Sequence, residues 1–188
     1  SLHGLESASS AAITAGLGTW FSIDDLRRVD AAAARALAHK GVHQYVLEGL
    51  DADAAEALVT EGLRSWKANE TLEVHTTAPL SAATLEALGH YRGATNAFRR
   101  LRLSSDAGLS PEGIRALARS CAAGGEDEGC GLELSGVRSI DEALARTLDT
   151  LRSASLRGVE NIEAGAFPHL CRIFLRDERI LQIHDDAQ

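Results

Sequence analysis

Residues 103–117 read Leu103-Ser-Ser-Asp-Ala-Gly-Leu109-Ser110-Pro111-Glu-Gly-Ile-Arg-Ala-Leu117, and residues 134–148 read Leu134-Ser-Gly-Val-Arg-Ser-Ile140-Asp141-Glu-Ala-Leu-Ala-Arg-Thr-Leu148. The two align without a gap. An aliphatic residue is followed by another six positions on, a small polar or acidic residue at the seventh, and a leucine at the fourteenth. Leu156, Ile162, Glu163 and Leu170 repeat the frame. Alternating Leu101-Arg-Leu103 and Leu132-Glu-Leu134 describe short strands with one buried face. Ser110 and Asp141 then fall where a helix N-cap belongs, accepting a hydrogen bond from a first-turn amide that has no helical partner. Pro111 follows at the first helical position, where its missing N–H is harmless. Each copy therefore reads strand, turn, helix.

Outward from these copies, the frame also fits Ile23, Asp30 and Leu37; Val74, Ser81 and Leu88; and Leu2 with Ser9. A shorter copy, Leu47 to Asp51 and Leu58, lacks three residues, and Ile173-Phe-Leu175 forms a last strand-like copy. The key aliphatics at 2, 23, 47, 74, 103, 134, 156 and 175 are about 25 residues apart on average. On these residues the chain resembles the leucine-rich repeat family in an irregular, Ala-rich bacterial form, carried best by Leu103 to Leu117 and Leu132 to Leu148.

The resemblance implies an α/β, leucine-rich-repeat-like solenoid with parallel strands on the concave face and helices on the convex face. Residues 1–188 would form a single repeat domain of about eight strand-turn-helix units. The asparagine usual after the strand is absent, and Gly4, Gly49, Gly136 and Gly158 occupy that region in four copies. Glycine there is expected to supply a positive-φ turn or room for close stacking. A doubly wound α/β sheet is the rival architecture, but its strands need apolar runs buried on both faces, and these alternate.

Composition narrows the function. The chain has 188 residues, 45% of them apolar, and 19 Lys and Arg against 27 Asp and Glu leave a net charge of −8. That surplus repels phosphate backbones and argues against nucleic acid or an acidic membrane. No apolar run nears the ~18 residues that cross a bilayer. Three cysteines in a chain of this size are expected to be free thiols in a reducing compartment, so a cytoplasmic location is expected. Opening at Ser1 rather than Met, the chain is expected to be a processed or partial product in which any targeting segment would be out of view.

Two surfaces are candidates for binding. Side chains alternating with the buried aliphatics should line the open strand face: Asp24, Glu48, Glu73, His75, Arg102, Glu133, Arg157 and Arg176, with acid towards one end and base towards the other. Such polarity would orient a partner of opposite polarity. Longer connections at 61–71, 89–100 and 119–131 should gather Trp66, Tyr91, Arg99 and Arg100 on one edge; aromatic residues and Arg are common interface anchors.

Catalytic and metal signatures are weak. His39 and His43 are four apart, but Gly41 is expected to end the helix between them and so to break a helical metal pair. Cys121 and Cys130 lack zinc-type spacing, and no His-Glu-x-x-His, Gly-x-Ser-x-Gly or phosphate-cradling glycine loop occurs. The expectation is a protein-protein interaction module without catalysis, cofactor or metal, whose partner the sequence does not identify. Two alternatives stand beside it: an immunity- or antitoxin-like inhibitor of a basic enzyme, and an enzyme with a site at the insertion edge near His75 or His90.

Overall fold

In the computed structural model, which describes residues 22–65, 71–91, 99–123, 130–151, 153–175 and 180–184, five residues at the predicted capping position begin helices. Asp30 accepts from the Ala33 amide at 2.7 Å, Asp51 from Ala54 at 2.8 Å, Ser81 from Thr84 and Ser110 from Gly113 at 3.1 Å, and Asp141 from Leu144 at 2.6 Å. Pro111 opens its helix as expected. The helices are α1 Ala31–His39, α2 Ala52–Ser65, α3 Ala82–Gly89, α4 Pro111–Ala122, α5 Glu142–Leu148 and, after a 3-10 turn at Ala164–Ala166, α6 Phe167–Leu175. Ser9 lies outside the described residues.

The helices connect strands β1 Ser22–Arg28, β2 Gln44–Gly49, β3 Thr71–Thr76, β4 Arg99–Ser105, β5 Cys130–Ser135, β7 Ser153–Arg157 and β9 Ile180–His184. These seven form one sheet in which every neighbouring pair is parallel and the order is β1-β2-β3-β4-β5-β7-β9. A doubly wound sheet reverses its strand order at a switch point; this order follows the chain without reversal. Each of α1 to α5 packs against the next helix. Two short strands, β6 Ser139–Ile140 and β8 Asn161–Ile162, pair separately in successive turns.

Burial alternates along the strands. In β3, Leu72, Val74 and Thr76 are buried, while Thr71, Glu73 and His75 are half-buried. Leu101, Leu103, Leu132, Leu134 and Leu156 join helix residues such as Leu58, Leu88, Leu117 and Leu148 in one continuous apolar core. Each such leucine contributes about 1.5–3 kcal/mol by leaving water. Between successive turns, the Leu109 amide donates to the Gly136 carbonyl at 3.0 Å. Gly136 has φ +91°, and a Cβ there would lie 2.7 Å from the Ser105 carbonyl oxygen. Both glycine functions, left-handed backbone and close approach, thus meet at one residue. Gly158 also has positive φ, Gly49 does not, and Gly4 is outside the described residues.

The strand rungs agree with the repeat over most of the sheet and depart from it at the ends. Val74, Leu103, Leu134 and Leu156 pair in sequence across β3, β4, β5 and β7. In β2, however, Tyr45 rather than Leu47 meets Val74 and Ile23, and Leu47 meets Thr76. Both Tyr45 and Leu47 are buried, so a period of two cannot choose between them. The last copy needs a larger correction. Residues 173–175 belong to α6, and Leu156 pairs with Ile183 of β9. Phe167, Leu170, Ile173 and Phe174 follow helical spacing, which places the strand further along the chain.

Candidate functional site

Side chains between the buried aliphatics stand on the face of the sheet away from the core, in rows set by strand register. One row is Gln44, Glu73, Arg102, Glu133 and Ser155. Arg102 donates Nε–H to Glu133 Oε2 at 2.8 Å and Nη1–H to Glu73 Oε2 at 3.3 Å, while Gln44 Nε2 donates to the same Glu73 oxygen at 3.1 Å. Arg100, one pleat away, sits 3.3 Å from the other Glu133 oxygen. The hydrogen bond to Glu133 raises the pKa of Arg102 above its ordinary value; partial burial opposes this, and the charges of Glu133 and Glu73 add to it. The row is a chain of alternating charge.

The next row runs Val46, His75, Ser104, Ser135 and Arg157. His75 Nδ1 is 2.7 Å from Ser104 Oγ, and His75 Nε2 is 3.6 Å from Asp106 Oδ2. Glu73, Arg102, Ser104, Glu133, Ser135, Ser155 and Arg157 border a half-open cavity of about 400 Å³. Arg157 is exposed and has no ion pair among the described residues.

The structure gathers Glu73, His75, Arg100, Arg102, Glu133 and Arg157 on this face, and Glu48 lies exposed at the end of β2. Of the polarity expected along the sheet, the described residues hold Glu48 on β2 and Arg157 on β7, with Arg102 between two glutamates in the middle. Asp24 and Arg99 lie in β1 and β4 with side chains outside the described set. Trp66 and Arg176 are outside it altogether, and the strand that was to carry Arg176 is not at 173–175.

The insertion edge changes more. Tyr91, expected as an exposed anchor, is wholly buried in the core; placed after the end of α3, it covers apolar surface rather than facing a partner. Part of the inserted length is helix: α2 reaches Ser65 with 14 residues and α4 reaches Ala122 with 12, against 8 in α3. His90 does not join His75. It binds Glu56 at 2.8 Å on the helical layer. His39 and His43 also part, one to Glu61 at 2.9 Å and the other to the Gly41 carbonyl at 3.0 Å, with φ +82° at Gly41 between them. Cys121 is buried in α4, and the side chain of Cys130 is outside the described set.

Gln44 and Asp106 were missed as members of the face. Gln44 could have been found from the register of β2. Asp106 follows the end of β4, so only the turn reveals that it approaches His75. Among the described residues, no three metal-type side chains converge and no helix is long and apolar enough to cross a membrane. No protein-family model matches the chain, and no curated protein is similar to it.

Proposed function

We propose that the chain is a leucine-rich-repeat-like solenoid that binds a protein partner on the polar face of its sheet. Three features support the solenoid: strand order that follows the chain, helices that each pack on the next, and a cap recurring at the same place in successive units. The proposed setting is the cytoplasm, in keeping with only three cysteines in a chain of this size. A net charge of −8 suits a protein partner better than nucleic acid.

The observation that carries the binding reading is the alternating row Glu73, Arg102, Glu133, flanked by exposed Glu48 on β2 and exposed Arg157 on β7. Neither flanking residue has an ion pair among the described residues. With Arg100 also on Glu133 the charges of the row cancel, which leaves the two ends to attract. The partner is therefore one that presents a basic group over β2 and an acidic group over β7. Complementary charges of this kind steer encounter and fix orientation more than they raise affinity.

The test is affinity capture from the source lysate with wild type and the double reversal Glu48→Lys, Arg157→Glu. A protein recovered by wild type and lost by the variant, at an unchanged melting temperature, is the expected result. Identical capture profiles overturn the reading.

A further inference from the structure

We propose that Ser104 is an acyl-accepting nucleophile, with His75 as its base and Asp106 behind the imidazole, so that the open sheet face is also an esterolytic site. The inference does not rest on the protein-binding reading. It starts from order along one row: His75 on β3, Ser104 on β4, Ser135 on β5 and Arg157 on β7 are consecutive register partners. Neighbouring strands are about 4.8 Å apart, so the row places a base, a hydroxyl, a hydroxyl donor and a cation in sequence across four strands.

Ser104 Oγ and His75 Nδ1 are 2.7 Å apart, within reach for proton transfer. For the hydroxyl to donate to Nδ1, the ring proton must reside on Nε2. Nε2 faces Asp106 Oδ2 at 3.6 Å. The carboxylate therefore favours that tautomer and stabilises the imidazolium that forms when Nδ1 takes the serine proton, the division of labour seen in Ser-His-Asp sites on unrelated folds. On the far side of Ser104, Ser135 and Arg157 border the same cavity of about 400 Å³, and the Arg157 guanidinium has no ion pair among the described residues to compete for it.

The reaction balances with water as the second reactant. Ser104 Oγ forms a bond to the carbonyl carbon of an ester, its proton passes to His75 Nδ1, and the carbonyl electron pair moves onto oxygen beside Ser135 and Arg157. Collapse breaks the bond to the alkoxy group, which leaves as the alcohol with the proton from His75. Water then attacks the acyl-serine and gives a proton to His75; the acid departs, and the proton returns to Ser104. Ester and water become acid and alcohol.

Exposure sets the scale. The Asp106 side chain is 64% accessible and that of His75 33%, so solvent screens their interaction. Ser135 and Arg157 are flexible side-chain donors rather than fixed backbone amides. The substrate class is therefore small, activated esters that fit the cavity, with amides beyond reach.

The protein is incubated with a fluorophosphonate probe, which phosphonylates activated serines with loss of fluoride, and with p-nitrophenyl acetate. The expected result is a single adduct by intact mass, mapped to Ser104 by peptide sequencing, and a matching burst of p-nitrophenol. Ser104→Ala abolishes both, and His75→Gln slows labelling by about 100-fold, the lower end of a general base's contribution. Asp106 is a positioning residue: Asp106→Asn slows labelling several-fold, while Asp106→Glu keeps the wild-type rate. All variants melt as wild type does. No adduct on wild type, an adduct that persists in Ser104→Ala, or equal rates in wild type and His75→Gln overturns the proposal.

Discussion

Arg115 Nη1 lies 2.7 Å from Asp141 Oδ2, and the other oxygen of the same carboxylate, Oδ1, caps α5 through the Leu144 amide at 2.6 Å. One side chain thus caps the start of α5 and ties it to α4. Both partners are about 30% exposed, with side-chain accessibilities of 28% and 31%. In the proposed solenoid, whose units touch only their neighbours, a tie of this kind joins one unit to the next.

Asp141→Ala should cost about 1–2 kcal/mol, the loss of a helix cap, with the screened ion pair adding little. In a chain of this size that lowers the melting temperature by roughly 2–8 °C. Partial burial pushes the Asp141 carboxyl up, but hydrogen bonds from the Leu144 amide and Arg115 outweigh it, so the group ionises below the ordinary aspartate range. A depressed folded pKa stabilises the fold above the unfolded value, near 3.9, and that stability is lost as pH falls through the folded value. Urea midpoints measured from pH 7 down to pH 2 should show this acid loss in wild type and less of it in Asp141→Asn. Equal pH slopes would contradict it.

Gly89→Ala sets two effects against each other. Alanine favours a helix over glycine by about 1 kcal/mol. A Cβ at 89, however, would lie 2.6 Å from the Leu117 carbonyl oxygen and 2.6 Å from Ser120 Cβ, where α3 meets α4. The obstacle on one side is backbone, so the helices must separate, at about 1–3 kcal/mol for overpacking. Net destabilisation is expected in thermal melts, and an increase in stability would show that the helices shift freely.

A double-mutant cycle on Arg102→Ala and Glu133→Ala should give a coupling energy below about 1 kcal/mol, as exposed ion pairs do, because the two side chains are 46% and 30% accessible. By contrast, Leu103→Ala, one residue further along β4 and fully buried, should cost about 2–5 kcal/mol. A coupling of several kcal/mol in the Arg102–Glu133 cycle would make the row a structural device instead of a recognition surface.

Sequence alone was enough for whatever depends on a few neighbouring residues. Asp30, Asp51, Ser81, Ser110 and Asp141 could be read as caps because a cap bonds an amide three residues away. The buried faces of β3, β4, β5 and β7 were legible from alternating aliphatics, and the constant seven-residue offset from Val74, Leu103, Leu134 and Leu156 to the next cap position carried the rungs. Tertiary structure decided the rest. Tyr45 and Leu47 are both inward-facing, and only pairing with β3 selects the rung. Residues 167–175 satisfy a helical period and in part an alternating one, and packing of α6 against α5 settles them as helix. Tyr91 becomes core because a large apolar ring gains more from burial than from exposure beside a loop. The closest side-chain relationships on the polar face join residues far apart in the chain: His75 meets Ser104 across 29 positions and Arg102 meets Glu133 across 31. No local pattern encodes such contacts. They arise because a parallel sheet brings equivalent positions of successive units to within one strand spacing of each other.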